Sequence, residues 1–339
     1  MSVKRLAKLG VVQAVARLAP LTWRWRKPGS LVVLMYHRVL PKDSPQRERE
    51  QPGMYVSPET LDLHLTELER RFELVHLDDW LRRAKQGAAL PRIACAITFD
   101  DGWRDNYDFA LPVLVKHQAP ATIFLVSSYI GSAQRFWPNR LIELILRESA
   151  RPNSVPFPSK LRRLIEPVLE QGRHRQVGIE EIAPVVRQAL AFDEDEIRGL
   201  VETADEREKH CGGDDRDMLD TREIGMMAAT GLIRVGSHST THFRLDGSAT
   251  EAVLAGEIVE SRTRLHQILG QPIELFCYPN GVSSAASVDL VSRHYLGAVT
   301  TDTGWHAANL DPYQIRRIRL HDDISSTRDT FLARISGWL

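Results

Sequence analysis

Residues Ile93 to Phe99 form an apolar run that stops abruptly at Asp100-Asp101-Gly102. A run of this length and kind is a strand buried in the middle of a sheet, and Gly102 permits a sharp exit from it. The strand thus delivers two carboxylates to the rim of a sheet, where they suit hard-cation binding or acid/base chemistry. An Asp-Asp-Gly turn after a core strand accounts for the stretch equally well by itself.

The same pattern recurs along the chain. Leu31 to Tyr36 is a second continuous apolar run, typical of a strand buried on both faces, and it ends at His37-Arg38. Ser57-Pro58 opens a helix whose apolar positions are Leu61, Leu65, Leu68 and Phe72. A strand over 74–77, a helix from about Asp78, a helix over 106–117 and a strand over 122–126 follow. Beyond Asp220, strands are expected over 232–236, 273–278, 296–301 and 315–320. Helices over 250–269, capped by Gly270, and 284–294 alternate with them, and a last helix starts near Thr327. About eight strands alternating with helices make a mostly parallel sheet, read here as a distorted (β/α) barrel. In such barrels chemistry gathers at the C-terminal strand ends. His37, Asp100, Asp101, His238, His242 and the Pro279-Asn280-Gly281 turn all fall there.

Residues 131–219 break this rhythm and read as a helical insertion, so the expected organisation is a basic amphipathic segment over 1–30 and a barrel over 31–339 interrupted by 131–219. The 339 residues suffice for it. With 44 basic and 44 acidic residues the net charge is zero, which gives no support to nucleic-acid binding. Cys95, Cys211 and Cys277 form an odd, scattered set that implies neither a disulfide framework nor a cysteine zinc site. No apolar run reaches the roughly 20 residues needed to span a bilayer. The first 27 residues lack the pattern of a cleavable leader. They are either a helix packed on the domain or a peripheral membrane anchor, so the expected location is the cytoplasm, peripheral to the inner membrane. Nothing specifies an oligomeric state.

His238 and His242 stand four apart after a strand, so one helical turn would point both at a single ion. Two imidazoles and a carboxylate make a catalytic zinc set, although a His-x-x-x-His pair alone is equally a solvated helix face.

These residues resemble the NodB-type polysaccharide deacetylases, carbohydrate esterase family four. Thr98-Phe99-Asp100-Asp101-Gly102 matches the family's first motif and His238-Ser239-Thr240-Thr241-His242 its second. Phe276 to Gly281 looks like a variant of the third. Met35-Tyr36-His37-Arg38-Val39 is similar to the permuted branch that contains exopolysaccharide deacetylases. The resemblance covers roughly 31–130 and 218–320, and 137 positions separate Asp101 from His238, more than in compact members. It implies that Asp101, His238 and His242 hold a divalent metal, zinc for preference, with Asp100 as general base. It also implies an oxyanion donor at the Pro279-Asn280 backbone. His37 would protonate the departing amine, with His321 the second candidate.

The implied activity is metal-dependent de-N-acetylation of a cell-envelope glycan or its lipid-linked precursor. Alternatives are an O-deacetylase, a glycoside hydrolase or a non-catalytic glycan binder. Adjacent carboxylates argue against the glycosidase, whose acid and base flank the bond about 5–9 Å apart. The departure is Cys277, where the family places an arginine that orients the base. Arg317 or Arg319 would substitute, if neither is a surface residue. Asp302 to Trp305 is either a supporting wall or a plain loop. Phe136 and Trp137 are either a sugar-stacking platform or core.

Overall fold

The computed structural model describes residues 3–23, 25–172, 175–205 and 216–338. Arg24, Cys211 and the side chains of residues 1–9 lie outside the described residues. The chain divides into two compact units, one of residues 1–41, 55–132 and 218–339, the other of 42–54 and 133–217.

The first unit is a mixed α/β barrel. Its strands are β1 (Ser30–Tyr36), β2 (Arg38–Val39), β3 (Tyr55–Val56), β4 (Glu73–Leu74), β5 (Ile93–Phe99) and β6 (Ala121–Leu125). They continue with β7 (Ile233–Ser237), β8 (Leu275–Cys277), β9 (Gly297–Val299), β10 (Trp305–His306) and β11 (Ile318–Arg319). The main sheet runs β10-β1-β5-β6-β7-β8-β9, with β11 and β4 paired to β1 and β5. Its centre is the seven-residue parallel register from Ser30↔Ile93 to Tyr36↔Phe99.

Both faces of β1 and β5 are buried, as their unbroken apolar character demands. Val32, Leu34, Tyr36, Cys95, Ile97 and Phe99 pack under the covering helices. The alternate positions Leu31, Val33, Ala94 and Ala96 pack with Phe124, Cys277, Val299 and Ile315 across the curled sheet.

Residues 315–320 stitch the two edges of that sheet together. Ile315 bridges Val299, and three residues later Ile318 pairs with Leu34 of β1. Between them the Arg317 amide donates to the Asp302 carbonyl (2.7 Å). The strand anticipated over 315–320 is therefore cut to β11, because its backbone changes partners midway. The 302–305 stretch is no plain loop: it supplies that carbonyl, and Trp305 enters β10, antiparallel to β1. The helices anticipated over 106–117 and 250–269 each contain a π-helical turn, Asn106–Ala110 and Ala255–Glu260. Gly270 caps the second with φ 64°, as anticipated.

The second unit packs helices Trp137–Ala150, Ser159–Gln171, Ile179–Ala189 and Glu194–Asp205 around a separate apolar core. Trp137 belongs to that core and Phe136 is buried, so neither is a surface platform. Residues 42–54 contain the short helix Pro45–Arg49. Buried Glu50 there accepts from Asn139 Nδ2 (3.0 Å).

His64, on helix Pro58–Glu69, locks the barrel wall. Tyr36 donates to its Nδ1 (3.0 Å), its Nε2 donates to the Ser325 carbonyl (2.7 Å), and its ring stacks on Phe331 at 4.0 Å. Burial lowers this imidazole to about 4. The unfolded chain, near 6.5, takes up a proton first, so the contribution is complete above pH 6.5 and is lost as pH falls towards 4. The difference corresponds to about 3 kcal/mol at most. Denaturant unfolding from pH 7 to 4 should show this loss, and His64→Gln should flatten it. An identical slope in the variant would mean that other groups carry the acid sensitivity.

Candidate active site

Strand pairing positions the first carboxylate. The Asp100 amide donates to the Tyr36 carbonyl (3.0 Å), extending the β1–β5 ladder by one residue, and its side chain is buried. The chain then turns through left-handed conformations at Asp101 (φ 78°) and Gly102 (φ 82°). A Cβ on Gly102 would stand 2.7 Å from Leu125 Cδ2, so this exit from the strand requires glycine.

Arg317 is fully buried and grips Asp100 with both arms of its guanidinium. Nη1 donates to Oδ1 and Nη2 to Oδ2, each at 2.7 Å. Nη1 also donates to Thr98 Oγ1 (3.0 Å) and Nε to the Thr300 carbonyl (2.8 Å). Burial would raise the Asp100 carboxyl, but the charge and hydrogen bonds of Arg317 outweigh it and hold the group below its ordinary value. Arg319, the other sequence candidate, lies on the exposed side of β11. Cys277 has a basic partner that the sequence did not reveal: Nη2 of Arg317 donates to its Sγ (3.2 Å). Burial nevertheless pushes that thiol up.

Asp101, His238 and His242 converge. Asp101 Oδ1 lies 3.5 Å from His238 Nε2 and 3.7 Å from His242 Nε2. His238 donates from Nδ1 to the Cys277 carbonyl (2.8 Å), which turns its Nε2 towards the carboxylate. The other oxygen of Asp101 accepts from the Trp103 indole (2.9 Å). Burial would raise Asp101, but the surrounding imidazoles hold it below the carboxylate range.

The two histidines do not share a helical turn. They sit on an irregular turn after β7, with left-handed backbone at Ser239 (φ 65°) and His242 (φ 62°). Glu257, in the π-helical turn, accepts from the Thr240 and Thr241 amides (3.0 and 2.9 Å) and the Thr241 hydroxyl (2.7 Å). The His242 amide donates to Ser239 Oγ (2.9 Å). These bonds to the turn's own amides replace the helical ladder that the i, i+4 spacing suggested.

A cation fits this donor set: one carboxylate oxygen and two imidazole nitrogens within 4.8 Å of one another, with outer-shell partners already in place. Asp100, His238 and Cys277 form a second such group among the described residues. The Arg317 guanidinium occupies both Asp100 oxygens and the Cys277 sulfur, so a cation there would face a fixed positive charge.

Of the remaining sequence candidates, His37 joins the cluster. Its Nε2 lies 3.9 Å from Asp100 Oδ2, and its carbonyl accepts from Asn106 Nδ2 (2.9 Å). Burial lowers its pKa against the opposing pull of Asp101 and Asp100. His321 pairs instead with Asp323 (3.0 Å). Asn280 adopts a left-handed conformation (φ 55°) after β8, with its side chain exposed.

Trp103 and Glu257 were missed from the sequence. Trp103 had a signal, its place directly after Asp-Asp-Gly. Glu257 had only the oddity of an acidic residue at a buried helical position.

The family model for polysaccharide deacetylases matches residues 88–174 and 201–299, more than half of the chain. His37, Arg317 and His321 lie outside those blocks. YxkH of Bacillus subtilis (strain 168), whose name provisionally assigns it to the polysaccharide deacetylases, is 29% identical over 126 residues. That alignment covers 35% of this chain and only 39% of the relative. Among solved structures, the deacetylase PplD of Streptococcus pyogenes, in complex with acetate, aligns with a TM-score of 0.59 at 17% identity. It covers 91% of this chain and 99% of that one. A de-N-acetylase of Aggregatibacter actinomycetemcomitans aligns with a TM-score of 0.53 at 14% identity, covering 86% of this chain and 95% of that one. At these identities the structural likeness concerns the fold. The family match, covering most of the strand ends that carry the clustered carboxylates and histidines, shows that the chain belongs to the polysaccharide deacetylase family.

Proposed function

We propose that this protein is a metal-dependent hydrolase that removes acetyl groups from the N-acetylated sugars of a cell-envelope polysaccharide or its lipid-linked precursor. One observation carries the reading: a carboxylate kept ionised by a buried arginine stands directly beside a carboxylate–imidazole set suited to a cation. The names of two structural neighbours, a deacetylase with acetate and a de-N-acetylase, support the direction of the reaction.

Asp101, His238 and His242 would hold the cation, zinc in the first instance. Such an ion supplies Lewis-acid activation of water and of the amide carbonyl. Asp100 acts as general base, accepting a proton from the attacking water; Arg317 keeps it ionised and aimed. His37, beside Asp100, donates a proton to the departing sugar nitrogen, so amide and water leave as amine and acetate. A backbone N–H of the Pro279-Asn280 turn serves as oxyanion donor, a contribution typically of about 3 kcal/mol.

Acetate release from N-acetylated oligosaccharides should stop with EDTA and return with zinc. Asp101→Asn and His242→Ala should lower metal content in parallel with activity. Purified protein that takes up no divalent metal would overturn the reading.

Arg317→Met leaves Asp100 buried without its partner, and should cost about 3–5 kcal/mol of stability. The Asp100 carboxyl then rises, and because a base works only when deprotonated, the acid limb of the rate profile moves to higher pH. Arg317→Lys keeps the charge without the fork and should shift it less. A profile unmoved in both variants removes Arg317 from the mechanism.

His37→Ala should lower kcat by about 100-fold or more, in line with the usual worth of a positioned acid. His321→Ala should leave turnover near wild type. The reverse ranking would assign the acid role to His321.

A further inference from the structure

We propose that the exposed face of the N-terminal helix Val3–Trp23, together with Trp25, docks on a bilayer surface containing anionic lipid. This goes beyond the reaction and does not depend on it. The helix is apolar on two faces. Ala16, Ala19 and Trp23 are buried against the barrel, with the Trp23 ring 5.0 Å from that of Phe72 and 6.0 Å from that of Trp305. On another face Val11, Leu18 and Leu21 are 52%, 52% and 51% exposed, and Trp25 is 77% exposed. With exposed Ala14 between them, positions 11, 14, 18 and 21 follow 3-4 spacing and form one stripe about 15 Å long, with Trp25 in the turn just beyond the helix. A helix held by one face ordinarily turns polar residues to water. Here the anchored face is fixed by its aromatic contacts, so the stripe cannot be buried by rolling the helix.

Charge selects the occupant. Residues 1–27 contain seven Lys and Arg and no Asp or Glu; the first carboxylate of an otherwise neutral chain is Asp43. Two copies meeting along this face would bring two uniformly basic segments together. A layer of lipid phosphates neutralises them and receives the apolar stripe, with a tryptophan suited to the headgroup boundary. No helix among the described residues is long and apolar enough to cross a membrane, which leaves a helix lying in the surface plane.

The test is flotation of the full chain with vesicles of phosphatidylcholine alone, or with about one-quarter phosphatidylglycerol. We expect binding to the anionic vesicles that weakens with salt and falls about tenfold or more in Leu18→Glu/Leu21→Glu. Both side chains are exposed, so the unfolding midpoint should stay at the wild-type value. Equal affinity for the two vesicle types, or undiminished binding by the variant, overturns the proposal. So does a wild-type dimer that the same substitutions convert to monomer, which would assign the face to a second copy.

Discussion

The buried ion pair between Arg317 and Asp100 is the constraint on which the rest of this structure depends. Neither group is accessible, and taking both out of water costs most of what their attraction returns. The pair holds only because every remaining donor of Arg317 is spoken for, by Thr98, Thr300 and Cys277. It also ties the segment that closes the barrel to the middle of the sheet. Asp100 follows β5, in the middle of the sheet, whereas Arg317 sits in the segment that links β9 to β1. Closure of the barrel and orientation of the carboxylate are therefore one event.

Around that pair the backbone is driven into unfavourable conformations. Of the six non-glycine residues with left-handed backbone among the described residues, Asp101, Ser239, His242 and Asn280 lie at this site. Such conformations cost about 1–3 kcal/mol each and persist where surrounding contacts over-determine them. The contacts are visible here: Trp103 on the second oxygen of Asp101, and Glu257 on the amides of the 240–241 turn. Glu257 reaches that turn from a helix widened into a π-turn, which sets it apart from its regular helical neighbours. The cluster of acid, base and imidazole is thus built by tertiary contacts acting on strained loops.

Much of the fold was legible before any coordinates. Unbroken apolar runs at 31–36 and 93–99 imply strands buried on both sides, and those two strands became the paired centre of the sheet. The Ser57-Pro58 helix start and the Gly270 cap rest on local backbone chemistry, and both stand where that chemistry puts them. What misled was the i, i+4 spacing of His238 and His242. Spacing constrains side-chain direction only when the backbone is helical, and here Glu257 holds it in a turn. The end of β11 was misjudged for a related reason, since Arg317 takes its backbone partner from Asp302 rather than from either strand.

By itself the sequence determined which strands end in reactive side chains and of what type: carboxylates after β5, imidazoles after β1 and β7. Alternation and turn chemistry act over a few residues and so are written locally. Only the tertiary structure decided between Arg317 and Arg319, because the choice depends on which side chain a closing segment turns inward. It alone gave Cys277 a basic neighbour 40 positions away and brought Glu257 under the histidine turn. Those contacts join residues distant in the chain, and no local periodicity encodes which of several like residues will meet.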